Sequence, residues 1–321
     1  CLFVANNASE GGGVFTYNSS VTGAVVRNCT FVTNTAGFGG GIEVYNGTSA
    51  SIFDCTLTRN VASGSGGEGG IYAAFATYTV VSNCTVTENR GIDGGGGIYL
   101  NYGLISGCTI ASNIGVSYGG YDVKSASTVE CCIVSYNKCG AYSGGAMVRG
   151  GVTMRNSLIM GNEAGVLGGG VWLYGGTVES CTIVGNKSGN VDTYYGGGVY
   201  VDAGVLLNSI VCSNWSHTTG HNYYPTTAFL TNCGTYPMPS AGSGNITNEP
   251  GFVAVGSGYG LSHVPGDYQL TSGSLCKNAG LDQGWMTGAF DLAGNQRLNG
   301  AVDIGAYEFA GVLGGTIFQM E

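Results

Sequence analysis

Cys84-Thr85-Val86-Thr87-Glu88-Asn89, followed six residues later by Gly95-Gly96-Gly97-Ile98-Tyr99-Leu100, is one unit of a repeat. The first half returns as Cys29-Thr30-Phe31-Val32-Thr33-Asn34, Cys55-Thr56-Leu57-Thr58-Arg59-Asn60, Cys108-Thr109-Ile110-Ala111-Ser112-Asn113 and Cys181-Thr182-Ile183-Val184-Gly185-Asn186. Cys1 to Asn6 and Cys132 to Asn137 fit the same pattern, and serine takes the cysteine position in Ser157 to Asn162 and Ser209 to Asn214. The copies start at 1, 29, 55, 84, 108, 132, 157, 181 and 209, between 24 (84 to 108) and 29 (55 to 84) residues apart. Each holds three short apolar runs: one before the cysteine, one after it and one after the glycines. Branched and aromatic side chains in runs of four or five suit strands that alternate in and out. So short a unit cannot bury its own apolar face, but stacked copies bury a continuous one. The expected fold is therefore all-β: a right-handed three-sided parallel β-helix of about nine coils over 1–214. A last coil or coils, a capping segment and a tail strand are expected over 215–321.

The repeated residues take structural roles in this geometry. Cysteine and the residue two positions later point inward, and threonine between them points out. Cys29, Cys55, Cys84, Cys108, Cys132 and Cys181 then form a ladder of small apolar fillers, since serine replaces cysteine in two copies. Asn34, Asn60, Asn89, Asn113, Asn137, Asn162, Asn186 and Asn214 form a second ladder at a corner. Asparagine there bonds backbone groups, tolerates left-handed φ and stacks coil on coil. Among the cysteines off the ladder, Cys233 and Cys276 are the expected disulfide pair.

Composition narrows function. Glycine is 61 of 321 residues, charged residues are 9 % and the formal charge is −9. Ten scattered basic residues on an acidic chain argue against nucleic acid as a partner, and no apolar run has the length of a membrane helix. The acids are spread over the unit: Asp54, Glu130 and Glu179 lie just before the cysteine position, Glu88 and Glu163 elsewhere. No aligned carboxylate pair of the kind glycoside hydrolysis needs is expected. Asp93 among Gly91 to Gly97 is the one hint of calcium, and it occurs once; no cofactor is expected. His217 and His221 lie in a glycine-containing loop. Tyr194, Tyr195, Trp215, Tyr223 and Tyr224 cluster around the last coils as candidate sugar-stacking rings. Cys1, Leu2 and Phe3 at one end, with Thr316, Ile317, Phe318 and Met320 at the other, are candidates for end-to-end pairing into a homopolymer, because an open coil is an unpaired sheet edge.

The closing run Asp291-Leu292-Ala293-Gly294-Asn295-Gln296-Arg297 … Asp303-Ile304-Gly305-Ala306-Tyr307-Glu308-Phe309 resembles the bacterial "choice-of-anchor Q" proteins, and the repeat is similar to those of polymorphic outer-membrane proteins and related surface adhesins. Glu249 and Ser274-Leu275 depart from that pattern. The resemblance implies export to the cell surface or medium and assigns no reaction. Asp291, Arg297 and Asp303 read as an ion-pair group closing the rod's end. The function expected is that of an extracellular structural or adhesive protein without a catalytic centre. The rival is a glycan-active enzyme of lyase or hydrolase type, or a glycan-binding module.

Overall fold

The computed structural model describes residues 1–17, 23–47, 49–189, 195–225, 229–298 and 300–311. They form a parallel β-solenoid with almost no helix: only two short 3-10 turns, Gly260–Ser262 and Gly284–Met286, occur. The strand after each cysteine position builds a ten-stranded sheet from Leu2–Val4 to Gly234–Thr235. The strand after each glycine cluster and the strand before each cysteine share a second, seventeen-stranded sheet. In two coils these two strands fuse into single nine-residue strands, Val171–Glu179 and Val199–Leu207. A third, eight-stranded sheet comes from strands just after each asparagine, such as Lys138–Cys139 and Trp215–Ser216. The repeat thus carries four strand segments per coil, one more than its apolar runs show. The extra one is too short to leave a periodic signal. Pairing is in register: Val86 lies beside Leu57 in the coil before and Ile110 in the coil after.

The interior follows from the alternation. Phe31, Leu57, Val86, Ile110, Val134, Ile159 and Ile183 are fully buried. The asparagine ladder lies beside them, also buried. Asn113 shows its wiring. Its Oδ1 accepts the backbone N–H and the Nδ2–H of Asn89, both at 3.0 Å. Its own Nδ2 donates to Val86 O at 2.8 Å and to Asn137 Oδ1 at 2.9 Å. Gly97 packs against this ladder. A Cβ there would stand 2.1 Å from the Gly120 carbonyl oxygen and 3.3 Å from Asn113 Nδ2, so only glycine fits.

Left-handed backbone is needed at this corner, but the asparagine does not supply it. The residue before it does: Thr33, Arg59, Glu88, Ser112 and Tyr136 have φ of 53° to 57°. A side chain costs roughly 1–2 kcal/mol there. Ser112 is exposed, so Ser112→Gly is expected to raise stability by about 0.5–1 kcal/mol, after the greater unfolded-chain entropy of glycine is deducted. An unchanged or lower urea midpoint would contradict this.

Coils continue past the point where the sequence repeat fades. Phe229–Thr231 pairs with Ala241–Ser243, and Ile246 bridges Gly234. The chain beyond runs back along the flank of the ten-stranded sheet instead of closing the end of the rod. The reason lies in the outward positions of that sheet. Early coils carry threonine there (Thr30, Thr56, Thr85, Thr109), but late coils carry Leu158, Val184 and Ile210. These form a second core with Phe252, Tyr268, Leu270, Cys276 and Ile304. Burying each large apolar side chain contributes about 1.5–3 kcal/mol. Asn156, Asn208 and Asn232 fasten the segment through their Nδ2 groups, to the carbonyls of Phe290 (2.6 Å), Leu281 (2.8 Å) and Ala279 (2.9 Å).

Candidate ligand-binding face

Each glycine cluster is followed by one inward residue and then one outward residue on the second sheet. In-register stacking lines these outward residues into a row along the rod. Phe15 stands beside Glu43, Glu43 beside Tyr72, Tyr72 beside Tyr99, and Tyr99 beside Asp122. The row goes on through Met147, Trp172, Tyr200 and Tyr224. Successive coils are about 4.8 Å apart. The rings touch one another: Tyr72–Tyr99 centroids are 5.1 Å apart, Trp172–Tyr200 6.5 Å and Tyr200–Tyr224 6.0 Å. A second row two residues on adds Tyr17 and Tyr45, and Phe75, just past Ala74 in that row, packs edge-on against Tyr45. Tyr142 packs on Trp172 at 5.1 Å.

Carboxylates are set into this aromatic face. Glu43 is 2 % exposed, and its Oε2 accepts Gly11 N–H at 3.0 Å. Burial, followed by a hydrogen bond that its protonated form donates to Glu10, pushes its carboxyl up to about 8. Glu68, fully buried, is held well above the usual carboxylate range by desolvation, and its Oε2 has no hydrogen-bond partner. Glu68 lines a cavity of ≈ 240 Å³ with Tyr72, Tyr99, Tyr118, Asp122, Lys124 and Arg149. Arg149 grips Asp122 with two nitrogens, Nε–Oδ1 2.7 Å and Nη2–Oδ2 2.9 Å, and donates to Tyr118 OH at 2.9 Å. Lys124 Nζ sits 4.7 Å from the Tyr99 ring centroid. No two carboxylates of this row share its strand position in adjacent coils. Glu43 and Asp122 occupy one strand position in different coils, and Glu10 and Glu68 approach from the corner before it.

The family model described as "Right handed beta helix region" matches residues 12–188. The chain belongs to this right-handed β-helix family. No curated protein matches the sequence. Right-handed β-helices carry side chains outward at fixed strand positions, so a row like this one is a continuous surface on a rigid support.

The residues singled out from sequence fall in several places on this β-helix. Cys29, Cys55, Cys84, Cys108, Cys132 and Cys181 line its interior as free thiols. Cys233 and Cys276 are free as well, and the expected disulfide is corrected. Cys233 is a tenth member of the inward ladder, next to Ser209 in register. The neighbouring Gly234 faces out, and Cys276 packs on that outer side, in the second core. Sulfurs on opposite faces of one sheet cannot join. Burial pushes the thiols of Cys181 and Cys233 up to about 12, which keeps them unreactive.

The candidate sugar-stacking rings separate. Tyr195 and Tyr224 stack at 4.2 Å and extend the aromatic face. Tyr223 points inward, with no exposed surface, so it is not a surface contact. Trp215 belongs to the third sheet, under Lys187 at 5.5 Å. Tyr194, Thr316, Ile317, Phe318 and Met320 lie outside the described residues. Cys1, Leu2 and Phe3 lie in the first coil, whose strand Leu2–Val4 pairs with Thr30–Val32. His221 Nδ1 accepts the Ser216 N–H at 3.1 Å. Among the described residues no three acid, histidine or cysteine side chains converge as a metal site, and no helix is long and apolar enough to cross a membrane. Arg297 pairs with Glu308 at 3.1 Å on the flank, not at the rod's end.

Sequence reasoning passed over the row itself, though its signal was on view. In Ile98-Tyr99-Leu100, Val171-Trp172-Leu173 and Val199-Tyr200-Val201 the central residue is a large ring flanked by two inward aliphatics.

Proposed function

We propose that this chain is the rod of an extracellular, non-catalytic adhesive protein that holds a neutral glycan along its aromatic face. The observation that carries this reading is the register-aligned row of outward rings, with Trp172, Tyr200 and Tyr224 on consecutive coils. Ring faces stack on the apolar faces of sugars, and a rigid row reads a linear chain at low entropic cost. Glu10, Glu43, Glu68 and Asp122 on the same face, with a net charge of −9, disfavour uronic or sulfated chains. The resemblance to choice-of-anchor Q proteins supports export.

A glycan array tests it with the intact chain and a Trp172→Ala/Tyr200→Ala variant. Binding to neutral oligosaccharides is expected, weaker by about thirtyfold in the variant at about 1 kcal/mol per ring. Binding of anionic glycans alone, or equal binding by the variant, would overturn it.

The unpartnered Glu68 oxygen beside the Arg149-held Asp122 favours a second reading, glycan cleavage. A protonated carboxyl next to a paired carboxylate is the arrangement of an acid and its partner. Release of reducing ends from an array ligand, lost in Glu68→Gln, would establish that reading in place of simple binding.

A further inference from the structure

The N-terminal end of the aromatic face is concave and acid-floored, and unlike the cavity at Glu68 and Asp122 it holds no Lys or Arg. The buried Glu43 carboxyl forms the floor, with Gly11 N–H and the Glu10 carboxyl as its hydrogen-bond partners. Phe15 and Tyr72 flank it along the rod axis, one coil before and one after. Phe38 packs on Tyr72 at 5.3 Å from the corner side. Tyr45 stands two residues on and meets Phe75 edge-on at 5.5 Å. Together they enclose a cavity of ≈ 330 Å³, and none of the residues lining it is basic.

We propose that this cup binds an organic ammonium group. Aromatic rings lining a pocket attract a cation with an apolar shell, and the attraction grows where water is excluded. A carboxyl on the floor completes the charge match. Other ligand classes fit worse. A hydrated calcium ion takes six to eight oxygen ligands, and this wall is mostly carbon. An anion meets two acids. A neutral apolar molecule leaves a desolvated carboxyl pair without compensation.

Binding is linked to protons. Glu43 keeps its proton at neutral pH, because of burial and the bond it donates to Glu10. The titratable groups around it are Glu10, Tyr17, Tyr45 and Tyr72, with Glu68 beyond Tyr72. A cation arriving at the floor favours the ionised form, so the O–H bond breaks and the proton leaves to solvent. Affinity should rise about tenfold from pH 7 to pH 9 and level off above the Glu43 value of about 8.

The inference does not rest on the glycan reading, because Trp172 and Tyr200 lie several coils away. Calorimetry of the full chain tests it with two probes that stay charged to pH 9 and their neutral counterparts: choline against 3,3-dimethyl-1-butanol, and n-butylammonium against 1-butanol. At least one ammonium probe is expected to bind about tenfold or more tightly than its counterpart, with proton release at pH 7. Glu43→Gln should remove that preference and the pH dependence together. Phe75→Ala, at an exposed site that cannot unfold the rod, should weaken binding severalfold. Equal binding of charged and neutral members, no binding of either ammonium at pH 9, or full retention of the preference in Glu43→Gln would overturn the proposal.

Discussion

Asn113→Ala is expected to destabilise the protein by about 4 kcal/mol, seen as a lower urea midpoint. The substitution removes an acceptor used twice by Asn89 and a donor used by Val86 O and Asn137 Oδ1. All these groups are buried, and no water reaches them to take over. A buried polar group left without its partner costs about 1–3 kcal/mol, and at least three lose one here. The methyl group of alanine replaces none of these bonds. The position is also central, with three ladder asparagines before it, from Asn34, and four after it, to Asn214. A break there separates two half-ladders. A loss under about 1 kcal/mol would mean that the ladder is decoration on a fold held by apolar packing alone.

Arg297→Met should act as strongly and in a different place. Arg297 has no exposed surface. Its Nη1 donates to Gly305 O at 3.0 Å and meets Glu308 Oε1 at 3.1 Å. Removing the cation leaves Glu308 buried and unpaired, at a cost of about 3–5 kcal/mol. The group belongs to the flank segment, whose hold on the rod is the second core and the three asparagine clamps. Hydrogen exchange is therefore expected to show residues 247–298 losing protection while amides of the asparagine ladder keep theirs. Arg297→Met/Glu308→Gln should recover part of the loss, because the stranded charge is then gone. A single cooperative loss across rod and flank would show that the segment is integral to the solenoid.

The sequence made the coil legible because stacking turns one local pattern into a periodic one. Cys84 to Asn89 and its copies show which residues point inward, and the glycines show where chains approach closely. The two-residue strands of the third sheet have no such signature. Lys138–Cys139 carries no alternation to read. The flank segment was misjudged for a related reason. Its partner surface is the change from Thr85 and Thr109 to Leu158 and Ile210 at the outward positions, a contrast between coils and not a motif within one. The candidate binding face was half legible. Tyr99, Trp172 and Tyr200 announce an outward ring, but Glu43 and Asp122 join them only through coil-to-coil register. Glu10 and Glu68 reach the face from a corner whose direction no spacing gives.

The most direct test of the central claim, that the row after the glycine clusters is the binding face, uses Trp172 as its own reporter. Trp215 lies on the third sheet and Trp285 in the flank, under Arg155 at 4.4 Å. Replacing both with phenylalanine leaves one fluorescent indole, on the row. Titration with neutral hexaoses and with polygalacturonate is expected to give a saturable Trp172 response to at least one neutral hexaose, unchanged in about 0.5 M salt. A response to polygalacturonate alone, or binding of a neutral hexaose with Trp172 silent, would place the ligand elsewhere on the rod.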